Sequence, residues 1–302
     1  MSGRRVLVIG LPFFGTRVAE SLNSVGYEAR YQPHPGKIAS HWPRSGVEIL
    51  QADVIYAIGS SIRMNSPLDL ISRAGKSMLV HWVGTDVSVA VADWREGQVS
   101  ERVLKRSIHR ADAPWLIDEL SVIGIHAKER LLPIPVAIGS PQPMPERFQV
   151  LVYLPSEPQE DYDVEATLSV IRALPEVPFA IVGGYRPPEH LPNVEVLGFV
   201  QDMPAIYRHC AVLLRIMKHD GMSHSVIEAA SFGRYVLWTY AMDGITRVRG
   251  AEEAMTELRA LQAKFNKGAL APNSPGARNM QEKYNHERLL AQICRDLDRL
   301  LA

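Results

Sequence analysis

The sequence predicts an α/β protein made of two open parallel-sheet domains. Three observations lead there. Short apolar, β-branched runs alternate with amphipathic stretches through most of the chain, as in repeated βαβ units. A proline-dense segment, with five prolines between Pro133 and Pro145, interrupts that alternation near the middle. The length of 302 residues suits two domains at roughly 150 residues each.

In the first half, the predicted strands are Val6–Ile9, Tyr27–Tyr31, Val54–Ile58, Met78–His81 and Pro114–Ile117. The predicted helices are Thr16–Val25, Pro67–Ala74, Ser100–Ala111 and Asp118–Ile123. Gly26 stands where a left-handed cap closes the first helix. After the proline segment come strand Val150–Tyr153, helix Val164–Leu174, and strands Phe179–Val182 and Val194–Leu197. Helix Met203–His209, strand Val212–Ile216, helix Ser225–Phe232 and strand Tyr235–Thr239 follow. A second break, "NKGALAPNSPGARN", precedes a final amphipathic helix over about Met280–Leu301. The expected domains are 1–136 and 146–275, with 280–302 a C-terminal helix. Two such domains facing each other are expected to leave a ligand-binding cleft.

Composition narrows the function classes. Lys plus Arg and Asp plus Glu number 33 each, so no global charge favours nucleic acid or a membrane surface. Cys210 and Cys294 have neither disulfide-framework nor metal-ligand spacing, which fits a reducing cytoplasm and no metal site. The run "VLVIG" after two arginines is too short for a signal peptide and reads as a first buried strand. No stretch approaches the roughly 20 apolar residues of a membrane span.

Four loops carry the candidate chemistry. "GLPFFGTR", Gly10 to Arg17, lacks both the G-x-G-x-x-G of a dinucleotide site and the Lys of a P-loop. It reads as a tight strand-to-helix turn, or as a loop that lets a substrate approach the backbone. In "HWVGTDV", His81 to Val87, His81 is expected at a strand end. There it either donates to a ligand hydroxyl or bonds to backbone at the edge of the core, while Asp86 caps the next helix. "REGQVSERVLKRSIHRAD" would place Arg102, Lys105, Arg106, His109 and Arg110 on one helix, as a solvated face or a peripheral membrane contact. The fourth loop opens "DGMSHSVIEAASFGRYVLWT", residues 220–239. Ser225 and Glu228 fit a capping box. Alternatively, the free N–H groups of Ser223 to Val226 offer a diphosphate site, with Glu228 taking a ribose diol and Asp220 facing whatever lies beyond the phosphates.

Three segments carry a family resemblance. "DGMSHSVIEAASFGRYVLWT" is similar to the acidic-x7-Glu motif of retaining glycosyltransferases of family 4, which have the two-domain GT-B fold. Phe179 to Ile216, with "LGFV", resembles the stretch that precedes that motif, and "HWVGTDV" resembles the family's H-G-T-D loop. The resemblance implies two Rossmann-like domains with a last helix crossing back to the first. It implies a cytoplasmic enzyme that transfers a sugar from a UDP or GDP donor, without a resident cofactor or metal, to a small-molecule, glycan or lipid acceptor. Glu228 would hold the ribose, and Gly221, Ser223, His224 and Ser225 would surround the diphosphate. Asp220 would bind sugar hydroxyls, and Phe199 and Val200 would lie beside the base. His81 would sit by the transferred sugar, with Asp86 in its loop, and Gly15 would line the acceptor side.

The chain departs from the family in two ways. Asp220 stands where Glu is usual. The family's basic pair after the first strand of the second domain is replaced by "VYLPSEPQEDYDVEA", with five acidic residues and no basic one. A leaving diphosphate needs positive charge near it. Lys218 and Arg215 are the nearest candidates by sequence, with Arg186 a third. The competing functions are a nucleotide-sugar epimerase or hydrolase, a non-catalytic nucleotide or sugar binder of the same fold, and an oxidoreductase, which the broken glycine pattern disfavours.

Overall fold

A computed structural model describes residues 4–33 and 42–302. The chain forms two compact units, Met1–Pro135 with Asn285–Ala302, and Val136–Tyr284.

The first unit runs β1 (Arg5–Gly10), α1 (Pro12–Ser24), β2 (Glu28–Pro33), α2 (Trp42–Gln51), β3 (Val54–Ile58), α3 (Pro67–Arg73), β4 (Ser77–Trp82) and α4 (Thr85–Arg95). It continues with α5 (Glu101–Arg106), β5 (Ser107–Ala111), α6 (Pro114–Val122) and β6 (Lys128–Glu129), and is completed by the last helix, α12 (His286–Leu301). The sheet order is β2-β1-β3-β4-β5-β6, and every pairing is parallel. Such sheets are covered on both faces, which is why the strands read as continuous apolar runs. All of β3 is buried, as are β1 and β4 apart from their first residues.

Sequence reasoning differs from this unit at several places. Helix α1 begins at Pro12, so most of the expected loop is its first turn. Proline suits that position because its missing N–H has no helical partner there. Ser100–Ala111 is not one helix. It turns into β5 at Ser107, because that segment pairs in parallel with β4, Met78 opposite Ser107 through Trp82 opposite Ala111. Pro114–Ile117 is not a strand; Pro114 starts α6. The expected last helix is two helices, because Asn285 accepts the Arg288 N–H at 2.8 Å and caps a new start.

Helix α12 is held to the first sheet by a buried ion pair. The Arg110 Nε donates to Asp296 Oδ2 at 2.6 Å, and the two side chains are 6% and 1% exposed. Burial alone would raise the Asp296 pKa, but Arg110 outweighs it and holds the group below the usual carboxylate value. The expected basic face therefore does not exist. Its helical part is Arg102, Lys105 and Arg106, while His109 and Arg110 are buried strand residues. Arg102, Lys105 and Arg106 are exposed on α5. Among the described residues, no helix is long and apolar enough to cross a membrane.

The second unit contains β7 (Val150–Tyr153), α7 (Val164–Ala173), β8 (Phe179–Val182), β9 (Val194–Gly198), α8 (Met203–His209) and β10 (Val212–Arg215). α9 (His224–Ser231), β11 (Tyr235–Trp238), β12 (Thr246–Arg247), α10 (Ala251–Asn266) and α11 (Ser274–Lys283) follow. Its sheet is also parallel, in the order β12-β11-β10-β7-β8-β9. The order reverses between β7 and β10, and ligands of such sheets bind beyond the carboxyl ends of the strands at that reversal. Helices α2 and α10 have no counterpart in the sequence prediction.

The proline segment is strapped down from Val136 onward. The fully buried Arg234 donates to the carbonyls of Gln142 at 2.6 Å, Pro143 at 2.8 Å and Phe232 at 3.1 Å. Gly139 N–H donates to Ser231 Oγ at 2.9 Å. The unit therefore starts about ten residues before the expected 146.

Two glycines of the first turn are fixed by close contacts. A Cβ on Gly10, at φ +122°, would lie 1.9 Å from the Ile58 carbonyl oxygen. One on Gly15 would lie 2.4 Å from the Tyr31 ring. Gly10→Ala is expected to destabilise the unit by roughly 3 kcal/mol or more, through strain plus overpacking. Gly15→Ala should cost about 1–3 kcal/mol. In urea titration, a second change Tyr31→Leu should recover part of the Gly15→Ala loss and none of the Gly10→Ala loss.

Candidate functional site

The reversal between β7 and β10 brings together the loops 154–163 and 216–223. Lys218 N–H donates to the Asp161 carbonyl at 2.7 Å, and Tyr162 and Met217 form an antiparallel bridge. Met217 N–H also donates to Thr239 Oγ1 at 2.9 Å, which ties the second loop to the end of β11. Helix α9 starts immediately after this loop. Its N-cap is Ser223, with no side-chain cap bond, because Ser223 Oγ and Ser225 Oγ bond to each other at 2.9 Å. The first-turn N–H groups and the helix dipole thus present a positive end at the reversal.

Glu228 lies one turn into α9 and does not close a capping box. The N-cap, Ser223, lies two residues before Ser225, so the spacing that suggested a box is out of register with the true N-cap. The carboxylate is held from elsewhere in the unit. Tyr207 donates its hydroxyl to Oε2 at 2.9 Å, and Ala137 donates its N–H to Oε1 at 3.3 Å. Tyr207 is 1% exposed, and burial followed by the Glu228 charge pushes its pKa well up, so the hydroxyl stays a donor. Glu228 itself is half-buried. Sequence reasoning did not single out Tyr207. The signal was an aromatic on the helix before β10, which reads as ordinary core.

Asp220 and Arg215 do not take the places expected of them. The Arg215 guanidinium donates Nε to Asp220 Oδ2 at 2.6 Å and Nη2 to Oδ1 at 2.9 Å. Trp238 Nε1 adds a bond to Oδ2 at 3.1 Å. Burial works against the Arg215 charge, but Asp220 and then Tyr162 override it and raise the pKa. The Asp220 carboxylate is thus engaged by Arg215 and Trp238, and the Arg215 guanidinium by Asp220. Lys218 is exposed on the same loop. Arg186 is exposed in the loop after β8.

The loops beyond β8 and β9 contribute an aromatic surface. Gly183 and Gly184 have φ +100° and +96°, and a Cβ on Gly184 would lie 2.9 Å from the Phe199 ring. Phe199 is 82% exposed, a large apolar ring left in water at the carboxyl edge of the sheet. Val200 beside it is half-buried, and Gly221 is buried. His224 occupies the first helical position of α9.

The candidates in the first unit are structural. His81 is fully buried. Its Nε2 lies 2.8 Å from the Arg130 carbonyl, which can only accept, so Nε2 carries the proton and Nδ1 accepts from the Tyr56 hydroxyl at 2.8 Å. Both nitrogens are thus used within the fold, and His81 does not reach a ligand. Burial, opposed by the Arg130 carbonyl, depresses its pKa to about 3. The N-cap of α4 is Gly84, not Asp86, and Asp86 in the first turn accepts from the N–H groups of Val83 at 3.1 Å and Gly84 at 2.9 Å. Burial outweighs those bonds and raises its pKa to about 6. Gly15 is buried under Tyr31 within α1 and does not line an acceptor surface. Among the described residues, no group of three His, Cys, Asp or Glu side chains is gathered as a metal-ligand set.

The comparisons with known proteins agree with this fold. Residues 158–268 match the family model described as glycosyl transferases, group 1. No curated protein sequence matches the chain. Among solved structures, HepE from Anabaena, crystallised with UDP and glucose, is similar at TM-score 0.68 and 13% identity, over 98% of this chain and 100% of that one. Sucrose-phosphate synthase from Thermosynechococcus elongatus is similar at TM-score 0.70 and 12% identity, over 98% and 99%. A glycosyltransferase from Rickettsia africae ESF-5 is similar at 0.64 and 10%, over 100% and 99%. The chain has the GT-B fold of glycosyltransferases, and its second unit carries the glycosyl transferases group 1 pattern.

Two outcomes test these placements. Asp220→Asn, which leaves the buried Arg215 charge uncompensated, is expected to destabilise the second unit by about 3–5 kcal/mol. Calorimetric unfolding measures it. The buried neutral histidines give a pH dependence. His81 falls to about 3 and His109 to about 4 in the folded state. Unfolded, each titrates near 6.5, so their stabilisation is complete above pH 6.5 and is lost as pH falls toward those values. The loss is roughly 3 kcal/mol for each at pH 4. His81→Gln should therefore lower stability at pH 7.5 and flatten its decline between pH 6.5 and 4, as read by urea midpoints.

Proposed function

We propose that the protein is a retaining glycosyltransferase that takes a sugar from a nucleoside-diphosphate sugar, with UDP the first candidate. The observation that carries this reading is Glu228, held by Tyr207 beside the uncapped start of α9 at the sheet reversal. A carboxylate fixed there accepts two hydrogen bonds from a ribose diol. The first-turn N–H groups of α9 take the diphosphate. The exposed Phe199 ring offers a face to the base. Lys218, exposed on the loop before α9, supplies positive charge to the leaving diphosphate in place of the family's basic pair. The match to the group 1 family and the UDP-bound HepE neighbour support this reading.

In the proposed reaction, the bond from the anomeric carbon to the β-phosphate oxygen breaks. The acceptor oxygen bonds to that carbon on the same face and gives its proton to the departing phosphate. The protein contributes position and electrostatics, and no resident cofactor enters. The second reading is a nucleotide-sugar binder without catalysis. It is favoured by the acidic β7–α7 loop and by the engagement of Arg215 with Asp220.

The test is a thermal-shift screen against UDP, GDP, ADP, TDP and their glucose conjugates. A ligand at a hundred times its Kd stabilises by about 2.7 kcal/mol, a rise of roughly 5–10 °C for a unit of this size. Glu228→Ala should abolish the shift, and Lys218→Met should weaken diphosphate binding by about tenfold or more. Tyr207→Phe should weaken nucleoside binding several-fold with little change to inorganic diphosphate. No shift with any nucleotide would sink the donor-site reading. A shift without sugar consumption, with glucose, an alkyl glucoside and a lipid-linked glycan each offered as acceptor, would favour the binder.

A further inference from the structure

We propose that Asp220 is a positioning residue rather than a ligand of the transferred sugar. Its pair with Arg215 fixes the loop between β10 and α9, and cancels that loop's only carboxylate beside the donor diphosphate. This inference rests on the donor site proposed above.

The geometry supports it in three ways. First, the pairing is complete. Both Asp220 oxygens accept from the Arg215 guanidinium, and one accepts also from Trp238, with the two paired side chains 8% and 10% exposed. A sugar hydroxyl would have to displace a bidentate charge-assisted contact, the strongest class of side-chain hydrogen bond. It would also leave Arg215 charged and buried. Second, the pair lies at the centre of the loop's attachments. Arg215 is the last residue of β10, and its Cζ lies 5.4 Å from the Tyr162 ring centroid, so the adjoining β7–α7 loop packs on the same guanidinium. The Asp220 N–H donates to the Tyr240 hydroxyl at 3.2 Å, beyond β11. Trp238 ends β11 and bonds the same carboxylate. One carboxylate thus joins the ends of β10 and β11 and sets where the chain enters α9, three residues later.

Third, the charge count of the loop changes. Residues 216–223 hold one acid, Asp220, and one lysine, Lys218. An unpaired carboxylate there would repel the diphosphate and offset Lys218. Paired with Arg215, it leaves Lys218 as the loop's net charge. Arg215 therefore serves the anion indirectly, by neutralising Asp220 rather than by touching phosphate.

The experiment compares UDP and UDP-glucose affinities by titration calorimetry. It uses the full chain, Asp220→Asn, and the double variant Arg215→Met/Asp220→Asn, at a temperature where each is folded. The double variant removes both charges together and keeps an acceptor for Trp238. If Asp220 positions the loop through its pair with Arg215, both variants lack that pair and weaken UDP and UDP-glucose by the same factor, about tenfold or more. If Asp220 ligates the sugar, the double variant keeps UDP affinity and loses about tenfold or more for UDP-glucose alone, which overturns the proposal. Should the single variant not fold, the double variant decides by itself. An original chain that binds neither ligand would remove the donor-site reading and this inference with it. That outcome is distinct from selective loss in the double variant.

Discussion

The parallel pairing of β7 with β10 is the constraint on which the second unit depends. It places two loops, 154–163 and 216–223, side by side at the one edge of the sheet where connections on both sides diverge. The rest of the site follows from that edge. α9 has to start there because it returns the chain from β10 to β11, and no side chain caps its first turn. Glu228 then falls on the face of α9 that meets Tyr207 of α8 and the proline segment. The Glu228 carboxylate is thus held by residues from two other stretches of chain, 21 and 91 positions away in sequence.

Buried charge is handled differently in the two units. In the first, Arg110 and Asp296 join the sheet to the last helix, so the end of the chain is secured by a contact that is strongly directional. In the second, Arg234 donates to backbone carbonyls of the proline segment and the α9–β11 turn. Proline segments offer carbonyls but few N–H groups, so a guanidinium with five donors is a well-matched partner. Arg215 and Asp220 form the third case, a pair placed where a charged ligand is proposed to arrive. In all three, the cost of burying a cation is offset by geometry that fixes a chain segment.

Much of the site was legible because its residues form a local pattern. Asp220 and Glu228 flank the start of a short helix, and that pattern is readable from glycine, serine and an apolar run in a single stretch. Lys218 was legible as a basic residue just before Asp220, and Phe199 only through the family resemblance. What failed were roles that depend on distant partners. His81 was readable as a strand-end histidine, but Tyr56 and the Arg130 carbonyl consume both of its nitrogens. Asp220 was readable as acidic and near a turn, but Trp238 and Arg215 decide what it bonds. The basic run at 102–110 shows the same limit at the level of the fold. Its helical spacing was genuine, and pairing with β4 still converted half of it into a strand.

The sequence by itself determined the alternation of strands and helices, the break into two units and the candidate motif. Each of these is written in local spacing: apolar period, prolines, and the turn chemistry around Gly221. The tertiary structure alone decided which charged and polar groups are spent within the fold and which stay available. Hydrogen-bond donors and acceptors are satisfied by whatever lies within about 3 Å, and that neighbourhood is set by strand order rather than by sequence distance. Tyr207 was brought to Glu228 across 21 positions, and Asp296 to Arg110 across 186. No local pattern encodes either contact.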